Sequence, residues 1–458
     1  MNSTHPGELV SHLRASFNAG KTRSTEWRLG QLRALARMLT EQEAALNEAA
    51  EADLGKSNLE FFLTELSVLR NEIDDACKKL RRWMKPSRTK TPLVTQPGKS
   101  RIHKDPLGVV LILSAWNYPV NLAIAPMVGA IAAGNCIVLK PSEVAANTSA
   151  LLARLIAEYC DPDCIRVYEG AVPETTALLA ERFDHILYTG NGHVGRIIMA
   201  AASKHLTPVT LELGGKSPVY VHPDADLGMT ARRILWGKFT NAGQTCIAPD
   251  YLLVHKDVYE PLLEVMASTV RDFYGDDPSQ SADYGRIINE RHHRRVMALM
   301  GSGTPVVGGH GDEATRYIAP TILRDVSVDS PIMQDEIFGP VLPVLPIDGP
   351  DAAIAFVNDR PKPLALYVFS GQNNVIDAFI ERTSSGGVTV NHVMLHFAVM
   401  GLPFGGVGES GQGAYHGRHT FETFTHHKSV LRKPLAVDPA LQYPPYTDKK
   451  TTWLKRLV

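Results

Sequence analysis

Cysteine is scarce in this chain. There are five in 458 residues, an odd number with no paired spacing, which excludes a disulfide framework. Metal-ligand spacing is missing too, so no metal is expected. His292-His293 and His426-His427 are adjacent pairs, and neighbours do not share a helix face. Cys160 and Cys164 flank Asp161-Pro162-Asp163 with no matching His or Cys group. Neither sign of charge is in excess: 47 Lys+Arg stand against 48 Asp+Glu, a net charge of −1. A wide nucleic-acid-binding face is therefore not expected. The opening residues Met1–Glu8 lack a basic stretch followed by an apolar block, so no secretory signal and a reducing, cytoplasmic setting are expected. Three Gly-Lys-Ser/Thr triplets begin at Gly20, Gly55 and Gly215. The earlier glycine that a Walker loop requires is replaced by Ala15, Ala50 and Thr210, which removes the support for an ATPase. What remains is an ordinary soluble composition, 44% apolar and 21% charged, long enough for a large core and for about three domains' worth of chain.

No charged residue occurs from Leu107 to Leu139, a run long enough to cross a bilayer. Asn117, Asn121, Asn135, Pro119 and Pro126 argue against a span, because unsatisfied polar groups are costly in lipid. The pattern reads as buried strand, turn, buried helix, buried strand. Upstream, residues 8–85 carry helical periodicity through Leu29, Leu32, Leu35, Ala36 and Leu39, and no assignable motif. Lys78 to Lys104 holds ten Lys/Arg and no acid. Pro86, Pro92 and Pro97 deny that stretch a regular helix, and it reads as a solvated or subunit-contacting arm rather than a nucleic-acid or membrane patch.

Short apolar runs then alternate with amphipathic stretches. The runs are Gly108–Leu113, Cys136–Leu139, Ile165–Tyr168 and His185–Tyr188. The helices fall to Ala133, then over about 144–159, 174–180 and 194–205. Such βαβ alternation predicts an open, doubly wound parallel sheet covered on both faces, with ligands at the carboxyl ends of its strands. A second α/β body is expected over about 209–400, framed by runs at Val209–Leu213, Val219–Val221, Tyr251–Val254, Val341–Val344, Ala365–Phe369 and Gly387–Val390.

Gly190-Asn191-Gly192-His193-Val194-Gly195 matches G-x-G-x-x-G, follows a strand and opens a helix, the setting in which glycines and a helix N-terminus receive a pyrophosphate. The plainer alternative is a tight strand-to-helix turn. Glu212 lies 22 residues past Gly190, where a ribose-binding acid is often found. Lys140-Pro141-Ser142-Glu143, at another strand end, competes for the same role, and on spacing alone the two acids are near equal. Lys140 and Glu143 would otherwise simply cap the next helix.

Of the cysteines, Cys77 and Cys136 fall in helix and strand patterns, where a buried inert thiol is the ordinary expectation, and Cys160 and Cys164 are read the same way. Cys246 differs. Its neighbours Asn241, Gln244 and Thr245 are polar, as in a strand-end loop.

These residues carry a resemblance. Ala115-Trp116-Asn117-Tyr118-Pro119, Lys140-Pro-Ser-Glu143, Glu212-Leu-Gly-Gly-Lys216-Ser, Gly243-Gln-Thr-Cys246, Glu336-Ile-Phe338-Gly-Pro340 and Leu402-Pro-Phe404-Gly-Gly-Val-Gly-Glu-Ser-Gly411 together resemble the aldehyde dehydrogenase superfamily. Trp-Asn-Tyr-Pro, Gln-Thr-Cys-Ile-Ala-Pro and Tyr415-His416-Gly417 resemble its class 3 branch, which includes fatty and aromatic aldehyde dehydrogenases. The resemblance covers nearly the whole chain. It implies a doubly wound cofactor domain over 1–80 and 103–208, an α/β catalytic domain over 209–400, and a bridging, oligomerisation arm over 81–102 and 417–458. It implies NAD(P)-dependent oxidation of an aromatic or medium- to long-chain aliphatic aldehyde to the acid, NAD being the expected cofactor and NADP tolerated, in a homodimer.

Cys246 would be the nucleophile, passing through a thiohemiacetal and a thioester. Asn117 would be the oxyanion donor, and Glu212 the base that activates water, with Glu336 a second candidate. Lys140 and Glu143 would hold the adenine ribose, Gly190, Asn191, Gly192 and Gly195 the pyrophosphate, and Glu336, Phe338 and Phe404 the nicotinamide end. Tyr118, Trp236 and His416 would line the aldehyde funnel. The chain's last residues carry no long apolar run, so no stable membrane anchor is expected. Two other readings stand beside this one. A cysteine-dependent hydrolase or acyl-transfer enzyme would pair its thiol with a His, and none flanks Cys246. An inactive interaction protein of the same fold is disfavoured because Asn117, Glu212 and Cys246 are all intact.

Overall fold

Residues 5–457 are described by the computed structural model. Met1–Thr4, part of the stretch read as lacking a leader, lie outside the described residues, as does Val458. The uncharged run resolves as expected into strand Val109–Leu113, helix Asn121–Ala133 and strand Cys136–Lys140, every residue of them buried. Among the described residues no helix is long and apolar enough to cross a membrane.

The first sheet has six strands in the order Gly411–Gln412, Val209–Glu212, His185–Thr189, Val109–Leu113, Cys136–Lys140, Ile165–Val167. All are parallel except Gly411–Gln412, which runs antiparallel to Val209–Glu212. From Val109–Leu113 the chain winds outward to Ile165–Val167, then returns to the other side through His185–Thr189. The order therefore reverses beside Val109–Leu113, and a crevice opens at the carboxyl ends of that strand and of His185–Thr189.

A second sheet of seven strands runs Thr304–Val307, Thr321–Arg324, Val341–Ile347, Tyr251–His255, Pro218–Val221, Ala365–Phe369, Gly387–Val390. A third, of three strands, joins Ser87–Thr89, Lys99–Pro106 and Thr425–Arg432.

Three expectations are corrected. Val209–Glu212 pairs with His185–Thr189 on one side and Gly411–Gln412 on the other, and so belongs to the first sheet rather than opening the second body at 209. The arm strand continues to Pro106, past the expected limit at 102, because its register with Thr425–Arg432 is unbroken from Lys99 to Pro106. The basic stretch begins as regular helix. Lys78 and Lys79 belong to Ser67–Trp83, where Asp74 and Asp75, one turn upstream, pair with them.

Of the helices preceding the first sheet, Pro6–Asn18 packs on strands Val109–Leu113 and Cys136–Lys140, while Thr25–Glu41 and Ser67–Trp83 pack on helix Asn121–Ala133. Between them, residues Phe62–Leu66 form a π-helical turn, a local widening often found at functional sites. Gly129, on Asn121–Ala133, lies where that helix crosses Arg418–Thr423. A Cβ there would overlap the Thr420 side chain and its backbone. Overpacking of this kind costs about 1–3 kcal/mol. Gly129→Ala is expected to lower unfolding stability by that amount in a urea titration; an unchanged midpoint would contradict the close crossing.

Candidate active site

The segment leading to Cys246 leaves helix Leu227–Phe239 and makes three left-handed residues in succession, Asn241 (φ 54°), Ala242 (φ 50°) and Gly243 (φ 74°). Such backbone is strained for residues with a Cβ and persists only where surroundings over-determine it. Here the polar neighbours do so. Asn241 N–H donates to Glu60 Oε1 (2.9 Å), and its side-chain amide donates to the carbonyls of Asn117 (2.8 Å) and Gln244 (3.1 Å). The Gln244 amide nitrogen donates to the carbonyls of Asn241 and Arg286, both at 3.0 Å, while its oxygen accepts from Ile288 N–H at 2.9 Å. A Cβ at Gly243 would overlap the carbonyl of Gly339. The polar residues that drew attention to Cys246 are thus the ones that fold its turn.

The half-buried Cys246 lines a cavity together with Glu212, Tyr118, Thr189, Phe404 and His416. Thr64, Asn121, Leu122, Thr245, Met394, Phe397 and Tyr415 complete much of its wall. Glu212 ends its strand with both carboxyl oxygens buried and unpartnered. Burial pushes its pKa well above the carboxylate range. The Cys246 thiol is likewise pushed up, first by burial and then by Glu336 and Glu212, while the backbone N–H groups of Cys246 and Ile247 pull it down. A protonated Glu212 removes one of the charges that opposes the thiolate.

Asn117, 3% exposed, donates one amide hydrogen to the Gln244 carbonyl at 3.0 Å. The NH2 carries a second hydrogen. Tyr118 hydroxyl meets Thr245 Oγ1 at 2.5 Å. The His416 ring stacks on Phe404 with centroids 4.9 Å apart and Nδ1 2.9 Å from the Phe397 carbonyl; burial pushes its pKa down to about 4, so it is neutral at physiological pH. Trp236 does not line this cavity. Its indole lies edge-on to His392 at 5.7 Å instead.

Glu336 is held by a second set of contacts. Lys216 pairs with Asp250 and donates to the carbonyls of Ile332 (2.7 Å) and Asp335 (2.9 Å), and Asp250 accepts from Ile337 N–H (2.9 Å). The Glu336 carboxylate occupies the space over Gly214, where a Cβ would overlap it, and one of its oxygens is buried without a partner. Burial, reinforced by Asp250, pushes its pKa up to about 8, against the pull of Gly215 N–H. Phe338, left-handed at φ 45°, packs edge-on to Trp116 at 5.3 Å.

At the reversal of strand order, the hydroxyls of Ser114 and Thr189 are buried with no partner. Sequence reasoning missed both, although each is a polar residue at the carboxyl end of an apolar strand, and it missed Asp250, which precedes strand Tyr251–His255 and carried no such signal. Lys140 and Glu143 pair with each other. In the glycine turn, Asn191 caps helix Gly192–Ser203 by accepting from Val194 N–H at 3.0 Å. The Tyr188 hydroxyl fills the space over Gly190, and Gly195 lies 3.2 Å from Leu213 as a Cβ would see it, so packing explains both glycines. Only the flexible Arg196 guanidinium approaches Gly192. Unpartnered buried hydroxyls and carboxyls, a capped helix start and a Lys-Glu pair at adjoining strand ends are a donor and acceptor set that fits a dinucleotide.

The model of the aldehyde dehydrogenase family matches residues 6–430. The dimeric NADP-preferring aldehyde dehydrogenase of Canis lupus familiaris is 52% identical over 97% of this chain and 98% of its own length. Aldehyde dehydrogenase family 3 member A2 of Mus musculus is 50% identical, over 97% and 93%. Among solved structures, the substrate-bound AldH of Staphylococcus aureus superposes with a TM-score of 0.96 at 44% identity, covering 98% of both chains. An aldehyde dehydrogenase of Mycobacterium tuberculosis complexed with NAD+ gives 0.84 at 28% identity, over 95% and 92%.

Glu336 keeps its proton in the native state up to about pH 8, whereas an ordinary carboxyl loses it near 4.5. The stability it contributes is full below pH 4.5 and is lost as pH rises to 8. Glu336→Gln is therefore expected to shrink the fall in Tm of the ligand-free protein between pH 5.5 and 8.5. An identical fall in the variant would contradict the buried, protonated state.

Proposed function

Because the chain belongs to the aldehyde dehydrogenase family, and so is an NAD(P)-dependent oxidoreductase that turns aldehydes into carboxylic acids, we propose that Cys246, Asn117 and Glu212 carry its chemistry. The observation that supports this most is a single cavity into which the Cys246 thiol and the unpartnered Glu212 carboxyl both open, among otherwise largely apolar and aromatic groups.

Cys246 attacks the aldehyde carbon as thiolate; burial, Glu336 and Glu212 oppose its ionisation, and the N–H groups of Cys246 and Ile247 work in its favour. The oxyanion that forms takes the second amide hydrogen of Asn117 and the backbone N–H of Cys246. One such donor is worth roughly 3 kcal/mol. When bound, NAD(P) would supply the hydride acceptor for the thiohemiacetal carbon. Glu212, once it has released to solvent the proton that burial favours, takes a proton from the water that hydrolyses the Cys246 thioester, and Cys246 leaves as thiolate; a carboxyl made basic by burial suits the task. Glu336 would hold the nicotinamide ribose, with Phe338 and Phe404 near the nicotinamide, and Lys140 and Glu143 would hold the adenine ribose. The Glu143 carboxylate suits a free 2′-hydroxyl and its partner Lys140 a 2′-phosphate, which supports NAD with NADP tolerated.

The substrate is an aromatic or medium- to long-chain aliphatic aldehyde, taken up by apolar burial against Tyr118, Phe404 and the neutral His416. The six-stranded body binds the cofactor and the seven-stranded body carries the nucleophile. The three-stranded arm meets a second copy in a cytoplasmic homodimer, in keeping with relatives named dimeric.

Purified protein is expected to produce reduced nicotinamide absorbance with an aldehyde, and Cys246→Ala to abolish it. No signal with either cofactor across an aliphatic and aromatic panel would sink the proposal. Glu212→Gln should keep a first burst of hydride transfer and slow later turnover. A steady-state rate equal to the parent's would move the base role to Glu336.

A further inference from the structure

The failed Walker triplet Gly55-Lys56-Ser57 holds a residue the chemistry above does not use. Lys56 follows helix Glu43–Leu54 and is wholly buried, as is its ion-pair partner Glu65 at 2.7 Å. Two unscreened charges in such a place persist only when their remaining hydrogen-bonding capacity is met. It is met by the groups around Asn117. Lys56 Nζ donates to the Asn117 carbonyl at 2.9 Å and sits 4.0 Å over the Tyr118 ring. Glu65 Oε2 accepts from the N–H groups of Val120 (2.9 Å) and Asn121 (3.0 Å), which open helix Asn121–Ala133. Helix starts leave such N–H groups without intrahelical partners, and this helix has no side-chain cap at its own Val120. Glu65, from the π-helical turn, supplies the acceptor across space.

The pair thus grips the backbone on both sides of the Asn117-Tyr118 step. The same two residues touch the nucleophile turn: the Asn117 carbonyl also accepts from Asn241, the Asn117 amide donates to Gln244, and the Tyr118 hydroxyl meets Thr245. A shift of the Asn117 backbone would move the amide hydrogen that remains for substrate and loosen the strained Asn241–Gly243 turn.

We propose that the Lys56–Glu65 pair positions Asn117 against Cys246, so that the oxyanion donor and the nucleophile keep one fixed geometry. Neither residue touches the reacting atoms. This rests on the reading of Asn117 as oxyanion donor and Cys246 as nucleophile.

The test is a double-mutant cycle on the full chain. Lys56→Met with Glu65→Leu removes both charges together and leaves no lone buried ion. Its fold is checked by circular dichroism and its reduced-cofactor affinity by fluorescence titration. The folded variant is expected to bind NADH or NADPH as the parent does. Its first-turnover rate of reduced-nicotinamide formation should fall about 10²–10³-fold, the range for losing one oxyanion donor, with the loss in kcat rather than KM. Added to Asn117→Ala, it should cost little more, because both changes remove the same interaction. A parent-like first turnover, or a loss that multiplies fully with that of Asn117→Ala, would overturn the proposal. If the double variant does not fold, Lys56→Met with Glu65→Gln, which removes both charges and the Lys56 donation to Asn117 while keeping an acceptor for Val120 and Asn121, is put through the same cycle, and the same results support or overturn the proposal. A parent that forms no reduced nicotinamide with any aldehyde would instead sink the enzyme reading, and this proposal with it.

Discussion

Desolvation around Cys246 is the constraint on which the rest of the structure turns. Two carboxyls, Glu336 and Glu212, sit close enough to the Cys246 thiol to oppose its ionisation, and burial disfavours the charged form of all three. A folded chain ordinarily satisfies such groups. Here both Glu212 oxygens and one Glu336 oxygen are left without partners, so the site retains polar atoms that only a ligand, a substrate or a water can meet. The charges that are satisfied lie just outside it. Lys56–Glu65 secures the Asn117 step, and Lys216–Asp250 secures the Glu336 loop. The molecule fixes the backbone with paired charges and keeps the unpaired ones for chemistry.

Much of the fold is legible in the chain because strands buried on both faces must be apolar along their length. Runs such as Val109–Leu113, Cys136–Lys140 and Ala365–Phe369 have few other ways to be read. Pairing partners are less visible. Val209–Glu212 has the same local pattern whether it joins the first sheet or begins the second, and only its register with His185–Thr189 decides. The arm strands Lys99–Pro106 and Thr425–Arg432 escape pattern reading altogether. The first is mostly half-buried and the second mostly exposed, both are largely polar, and their pairing rests on main-chain hydrogen bonds between segments far apart in sequence.

The site divides in the same way. Residues whose chemistry is unusual for their setting, a cysteine among amides or an acid closing an apolar strand, could be singled out from sequence. Spacing alone left Glu212 and Glu143 competing for one role, and the resemblance separated them. Residues that matter by placement could not be found so. Ser114 and Thr189 are ordinary hydroxyls until the strand order reverses beside them. Lys56 and Glu65 lie in a segment with no motif, and Asp250 is one acid among many. Trp236 shows the opposite error, an aromatic residue expected in the funnel whose ring turns instead toward His392.

The central claim is that the substrate's acyl group passes through Cys246 and is released by Glu212. The most direct measurement is intact-mass and peptide-mass analysis of the Glu212→Gln variant, quenched in acid after mixing with an aldehyde and NAD. The account expects an added mass equal to the acyl group on the peptide containing Cys246, in step with the NADH formed. NADH formed while Cys246 stays unmodified, or an acyl group on any other residue, would contradict it.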